Sequence, residues 1–147
     1  MRIRDFHPSD LSTLSEIDQA CFPPGIAYSH EELARFIAHR SSRTWVAEEN
    51  GTIVGFVVAG RQPVRVGHII TIDILEAYRR RGVGSELMSV AEGWARKARL
   101  ELMYLETAED NHAAQKFYEA HGYRKIEKVE QYYSNGLAAW VMVKRLR

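Results

Sequence analysis

The apolar positions of this chain change period several times, and each change marks an element. Leu11, Leu14 and Ile17 recur at helical spacing behind Pro8-Ser9, and Phe22-Pro23-Pro24-Gly25 ends that helix because consecutive prolines cannot continue it. Ser29-His30-Glu31-Glu32 is a capping box, opening a second helix whose stripe is Leu33, Phe36 and Ile37. The period then drops to that of strands. Thr44–Glu48 and Thr52–Gly60 flank Asn50-Gly51, two residues that tolerate positive φ and so mark a tight hairpin. His68–Leu75 is apolar at nearly every position, as in a strand covered on both faces, with Asp73 the exception. Val83, Leu87, Val90, Ala91, Trp94, Ala95 and Ala98 return to one helical face. Leu102–Thr107 is a short buried strand, and Asp110 or Asn111 caps a helix that Gly122 ends. Strands at Arg2–Phe6, Tyr123–Glu130 and Leu137–Lys144 complete the order β-α-α-β-β-β-α-β-α-β-β. That order predicts an α/β fold with a mixed central sheet of about seven strands, parallel in its middle, antiparallel at its ends and with helices on both faces.

Composition narrows the function. The 147 residues fit one domain over 1–147, and 46% apolar with 27% charged is the balance of a globular chain. A net charge of +1 gives no overall bias toward nucleic acid or an acidic membrane surface. Cys21 is the single cysteine, so no intrachain disulfide forms. Met1-Arg2-Ile3-Arg4-Asp5 lacks the apolar stretch of a signal peptide, and no window approaches the roughly 20 apolar residues of a spanning helix. The expectation is a cytoplasmic protein with neither nucleic-acid nor membrane partners. The six histidines show no zinc-type spacing, so no metal is expected.

Candidate chemistry begins at Arg79-Arg80-Arg81-Gly82-Val83-Gly84-Ser85, between the apolar strand and the long helix. A strand that turns through glycines into a helix start presents free backbone N–H groups and a positive dipole end, which suits phosphate, and flanking arginines add charge-assisted hydrogen bonds. A third glycine of the dinucleotide fingerprint would fall at Leu87, and no Gly-Lys-Ser/Thr follows, so neither a dinucleotide fold nor a P-loop is indicated.

Arg79-x-x-Gly82-x-Gly84 resembles the Arg/Gln-x-x-Gly-x-Gly/Ala acetyl-CoA signature of the GNAT acetyltransferases, and Ile70–Tyr78 resembles the strand leading into it. The element order is similar over nearly the whole chain. Cys21-Phe22-Pro23, Leu105-Glu106-Thr107 and Tyr132-Tyr133 resemble the N-terminal protein acetyltransferases, especially the ribosomal-protein-alanine type. Ala77 departs from the proline common there, and Asn135–Ala139 replaces residues that are often acidic.

The resemblance implies acetyl transfer from acetyl-CoA to a primary amine, most simply the N-terminal α-amine of a protein or peptide, a ribosomal protein among them. A small-molecule amine as acceptor, or a non-catalytic coenzyme-A-binding module, are the alternatives; oligomeric state is left open. It also implies roles. Amides of Arg79, Arg80, Arg81, Gly82, Val83, Gly84 and Ser85 bind the diphosphate. Ile72, Asp73 and Ile74 pair with the pantetheine arm, and the N–H of Ile74 meets the thioester carbonyl. Asn111 bonds the arm. Glu106 is the base and Tyr118 the acid that protonates the thiolate; Phe22, Pro23, Tyr132 and Tyr133 wall the acceptor groove.

Residue reading alone supports these unevenly. Alternation puts Leu102, Tyr104 and Glu106 on one face, and a carboxylate ending an apolar strand of an open sheet is well placed for chemistry. It could also be a solvated acid or an ion-pair partner. By spacing alone Tyr118 belongs to the core, Asn111 is an N-cap, and Tyr132-Tyr133 could pack on Trp45 or Trp140. Cys21 has no histidine beside it and reads as a structural thiol.

Overall fold

The computed structural model describes residues 1–147. Seven strands form one sheet: β1 (Arg2–Asp5), β2 (Ser42–Glu49), β3 (Thr52–Gln62), β4 (Val66–Ile74), β5 (Leu102–Ala108), β6 (Arg124–Val129) and β7 (Ala139–Arg145). Their spatial order is β1-β2-β3-β4-β5-β7-β6. Only β4 and β5 run parallel; every other pair is antiparallel. β7 slots between β5 and β6, a placement the chain order does not reveal.

Helix α1 (Leu11–Cys21) follows a 3-10 turn at Pro8–Asp10, so the helix begins later than its Pro-Ser start suggests. The turn is capped by His7 and tied by Arg4, whose guanidinium grips both carboxylate oxygens of Asp10 at 2.9 and 3.0 Å. Helix α2 (His30–Ala38) opens on the expected box: Ser29 accepts from the Glu32 N–H and Glu32 accepts from the Ser29 N–H. Asn50 and Gly51 take φ of +51° and +79°, the hairpin conformation their identities predict.

The sheet separates two apolar layers. Leu14, Ile17 and Leu33 from α1 and α2 meet Val46, Phe56 and Val58 on one face. On the other, α3 (Val83–Lys97) and α4 (His112–Ala120) cover Val57, Ile69, Ile72, Met103 and Leu105 with Val83, Leu87, Met88, Ala91 and Tyr118. Burying a large aliphatic side chain contributes about 1.5–3 kcal/mol, so these faces hold the sheet rigid beneath the site.

One irregularity in β4 matters for function. Val58 pairs with Thr71 and the next residue, Ala59, pairs with Ile69. Ile70 is therefore an extra residue, a β-bulge, and the alternation of side chains changes parity there. Thr71 and Asp73 share the α1 face with His68, whereas Ile69 and Ile72 both pack beneath α3.

Candidate active site

Register between β4 and β5 ends at His68 opposite Tyr104, although β4 continues to Ile74 and β5 to Ala108. Beyond that point lies a cleft of about 920 Å³, lined by both strand ends. The Leu75 N–H bonds back to Val54 on β3 at 2.9 Å. By the alternation of a strand's donors, the N–H groups of Ile74 and Ile72 point the other way, to the open side.

The turn into α3 has the geometry of an anion cradle. Arg80 has φ +64° and Gly82, the N-cap of α3, has φ +84° with no side chain capping the helix. The first helical bond is from the Glu86 N–H to the Gly82 carbonyl at 3.0 Å, which leaves the preceding amides without intrahelical partners. A Cβ on Gly84 would sit 3.0 Å from the Phe117 ring, so glycine lets α4 close against α3. These free donors fit the diphosphate of coenzyme A, and the unpaired edge of β4 fits an amide-bearing arm.

Of the seven residues expected to offer amides, Arg79, Arg80, Gly82, Gly84 and Ser85 line the cleft, but the Arg79 N–H is taken by the Glu76 carbonyl at 3.2 Å and is not free for a diphosphate. Arg79 turns its Nε inward to donate to the Ile74 carbonyl at 2.9 Å, bracing the strand end. Arg81 lies 5.2 Å over the Tyr78 ring and 4.0 Å from Glu49, and the Val83 side chain is in the core. Those two residues have only backbone to offer a ligand there.

Glu106 lies on the cleft wall, on the face its alternation indicates. Its Oε1 is 2.7 Å from His68 Nε2, and its other oxygen has no hydrogen bond within the protein. His68 does not line the cleft. It stands behind Glu106 with its ring stacked on Tyr104, centroids 4.2 Å apart and planes 4° from parallel. Sequence reading missed His68, because the bulge that brings it to the Glu106 face leaves no mark on the alternation. Its signal is positional: it is the only histidine of a mostly apolar strand.

Tyr118 satisfies both of its readings. It is 9% exposed and belongs to the core under α4, yet it also lines the cleft, and its hydroxyl makes no hydrogen bond to protein. Burial, then the negative charge of Asp73, push its ionisation well above the usual tyrosine range, so it keeps its proton. Asn111 caps α4 through its side-chain oxygen, accepting from the Ala114 N–H at 3.1 Å, and lines the cleft as well.

The acceptor side is aromatic. Phe22, Pro23, Tyr132 and Tyr133 all line the cleft, and the two tyrosine rings meet edge to face at 4.9 Å. They do not pack on the tryptophans: Trp45 meets Trp94, and Trp140 lies under Lys125 and Lys128. Burial pushes Tyr132 up to about 12 and raises Tyr133 as well. Tyr28, a lining residue the sequence did not single out, reaches the Ile70 carbonyl at 3.4 Å. Two loops meet across this end, with Ser134 Oγ donating to the Gly25 carbonyl at 3.2 Å. Gly25 has φ +91°, and a Cβ there would lie 2.7 Å from Asn135.

Cys21 donates its thiol to the Ile74 carbonyl at 3.4 Å. Burial, reinforced by Asp73, pushes it up to about 11, which keeps it a thiol and a poor nucleophile.

A cleft between diverging parallel strands, with a glycine-turned helix start at one end and a carboxylate in its wall, has the room and the donors for an acyl carrier and its acceptor. Residues 11–123 match the acetyltransferase (GNAT) family, and the chain belongs to that family. Its fold and membership make it an acetyl-CoA-dependent acetyltransferase. It is similar to the N-alpha-acetyltransferase of Sulfurisphaera tokodaii, 25% identical over 96% of this chain and 90% of that protein. It is 32% identical to the N-alpha-acetyltransferase RimI of Mycobacterium tuberculosis over 91% of this chain and 85% of that one. Among solved structures, Ard1 from Thermoplasma volcanium superposes with a TM-score of 0.85 at 27% identity, covering 98% of this chain and 96% of that one.

Proposed function

We propose that this acetyltransferase acts on the N-terminal α-amine of a protein or peptide. The observation that carries the reading is Glu106: one carboxylate oxygen is held by His68 and the other is free in a cleft walled by Tyr28, Tyr132 and Tyr133. Several full-length relatives carry the name N-alpha-acetyltransferase, which supports the same acceptor class.

Each step has a residue suited to it. An α-ammonium must lose a proton before its nitrogen can attack, and Glu106, directly or through one water, accepts it. His68 orients that carboxylate by donating from Nε2, so the free oxygen faces the cleft. Bound acetyl-CoA supplies the thioester carbon that the amine attacks. The N–H of Ile74 is aimed to hydrogen-bond the carbonyl oxygen as charge develops, a kind of contact worth about 3 kcal/mol of barrier. Tyr118, kept protonated by burial, donates its proton to the departing sulfur. The tyrosine walls grip the peptide backbone near its end.

Thiol release from acetyl-CoA tests the acceptor. Peptides of varied first residue, alanine included, are run beside a panel of small amines. Peptide turnover is expected, abolished when the peptide's amine is blocked. Turnover on small amines with none on any peptide would overturn the reading.

A further inference from the structure

Asp18 on α1 and Asp73 on β4 are each 1% exposed, and both border the cleft. No other carboxylates in the core are so placed: Asp10 is bound by Arg4, and Glu92 by Lys144 and Tyr123. Asp18 Oδ2 accepts from the Tyr28 N–H at 2.7 Å, and Asp73 Oδ1 accepts from the Thr71 hydroxyl at 2.5 Å. The remaining oxygens, Asp18 Oδ1 and Asp73 Oδ2, have no donor at all. Both residues line the same cleft, and Cys21, one turn on from Asp18, reaches the carbonyl of Ile74, the neighbour of Asp73, so this stretch of α1 is packed on the end of β4.

Two ionised carboxylates in that arrangement repel and leave two buried acceptors unsatisfied, which is costly. One proton removes both problems, since a protonated carboxyl donates and its partner accepts. We infer that Asp18 and Asp73 share a single proton and act as a positioning pair, clamping α1 and the Tyr28 loop to the end of β4 that lines the coenzyme A arm.

The surroundings agree. Burial first, then Asp18, raises the ionisation of Asp73 well above the carboxylate range, opposed by the Thr71 hydroxyl and the Arg79 cation. Cys21 from α1 and Tyr118 from α4, the other titratable groups facing Asp73, stay neutral because they too are pushed up. Tyr28, facing Asp18, is likewise held protonated. The pair then carries one negative charge, and Arg79, anchored on the Ile74 carbonyl, faces it. The sign of the linkage follows. A carboxyl whose folded pKa is raised contributes stability fully below the unfolded value, near 3.9, and loses it as pH climbs through the folded value. The clamp therefore weakens on the alkaline side.

The chemistry makes an unusual prediction for amide substitutions. In Asp18→Asn the amide oxygen still accepts from Tyr28 and the NH2 donates to Asp73. In Asp73→Asn the oxygen accepts from Thr71 and the NH2 donates to Asp18. In the double variant two NH2 groups face each other, with no acceptor between them.

Infrared difference spectroscopy of the wild-type protein reads the proton directly. A protonated carboxyl C=O band is expected at neutral pH, vanishing in either single Asn variant. Its absence from the wild type overturns the proposal, whatever the variants do. Thermal unfolding is expected to place the double Asn variant well below the sum of the two singles; simple additivity overturns the shared proton. The clamp is read by titrating acetyl-CoA across pH. Wild-type affinity should fall about tenfold as the pair loses its proton, the scale of one buried hydrogen bond, and stay flat in Asp18→Asn. An equal fall in Asp18→Asn would remove the positioning role.

Discussion

His68 Nε2 and Glu106 Oε1 lie 2.7 Å apart, joining β4 to β5 at the last register pair before the strands part. The bond closes the seam between two parallel strands and fixes the carboxylate at the mouth of the opening. Removing the carboxylate's basicity should stop proton removal without disturbing the turn into α3, which belongs to a different element. Glu106→Gln is expected to lower kcat by about 10²–10⁴-fold, the usual worth of a general base. Acetyl-CoA affinity measured by calorimetry should be unchanged. His68→Phe keeps an aromatic ring for Tyr104 and loses only the orienting bond, so its loss should be smaller, about tenfold. Full activity in Glu106→Gln would remove the assigned role.

Tyr118 has a hydroxyl with no protein partner on a ring that is otherwise packed in the core. Tyr118→Phe therefore deletes chemistry while keeping packing. Unfolding temperature should move little, because no intramolecular hydrogen bond is lost. Thiolate release should slow by about 10²-fold, within the range of a lost general acid. Since burial raises the ionisation of Tyr118, its deprotonation should not limit the rate below the ordinary tyrosine value of about 10. A variant with unchanged turnover assigns the proton to another donor.

Gly82 has open space around its Cα, so its identity is set by φ +84° and not by crowding. Gly82→Ala forces a side chain into the left-handed region at a cost of about 1–2 kcal/mol. Relief of that strain rotates the amides at the start of α3. Acetyl-CoA binding should weaken several-fold, with a modest drop in unfolding temperature. Binding that is untouched in titration would separate this turn from the cofactor.

Much of the fold is legible in the chain because its signals are local. The Ser29 capping box, the Asn50-Gly51 hairpin and the glycine-turned start of α3 each act within a few residues. The long-range facts are not written that way. That β7 enters between β5 and β6 depends on which edges pair after collapse. His68 escaped notice because Ile70 adds one residue to β4, and counting by twos across a bulge assigns the wrong face. The Asp18–Asp73 pair joins residues on different elements, and Asp73 showed in the sequence only as an oddity in an apolar run. Glu106 and Tyr118 could be singled out through family resemblance; their geometry, one oxygen held and one hydroxyl free, needed the tertiary structure.

Glu106 is only 17% exposed, in the wall of a cleft whose two aromatic loops are tied to each other by the Ser134–Gly25 hydrogen bond. An amine that is to reach that carboxylate has to be carried in on a slack end of its chain. For the acceptor proposed above, modification then depends on timing as much as on sequence. The target's first residues must be slack when they meet the enzyme, as they are while a chain is still emerging or wherever its beginning never packs down.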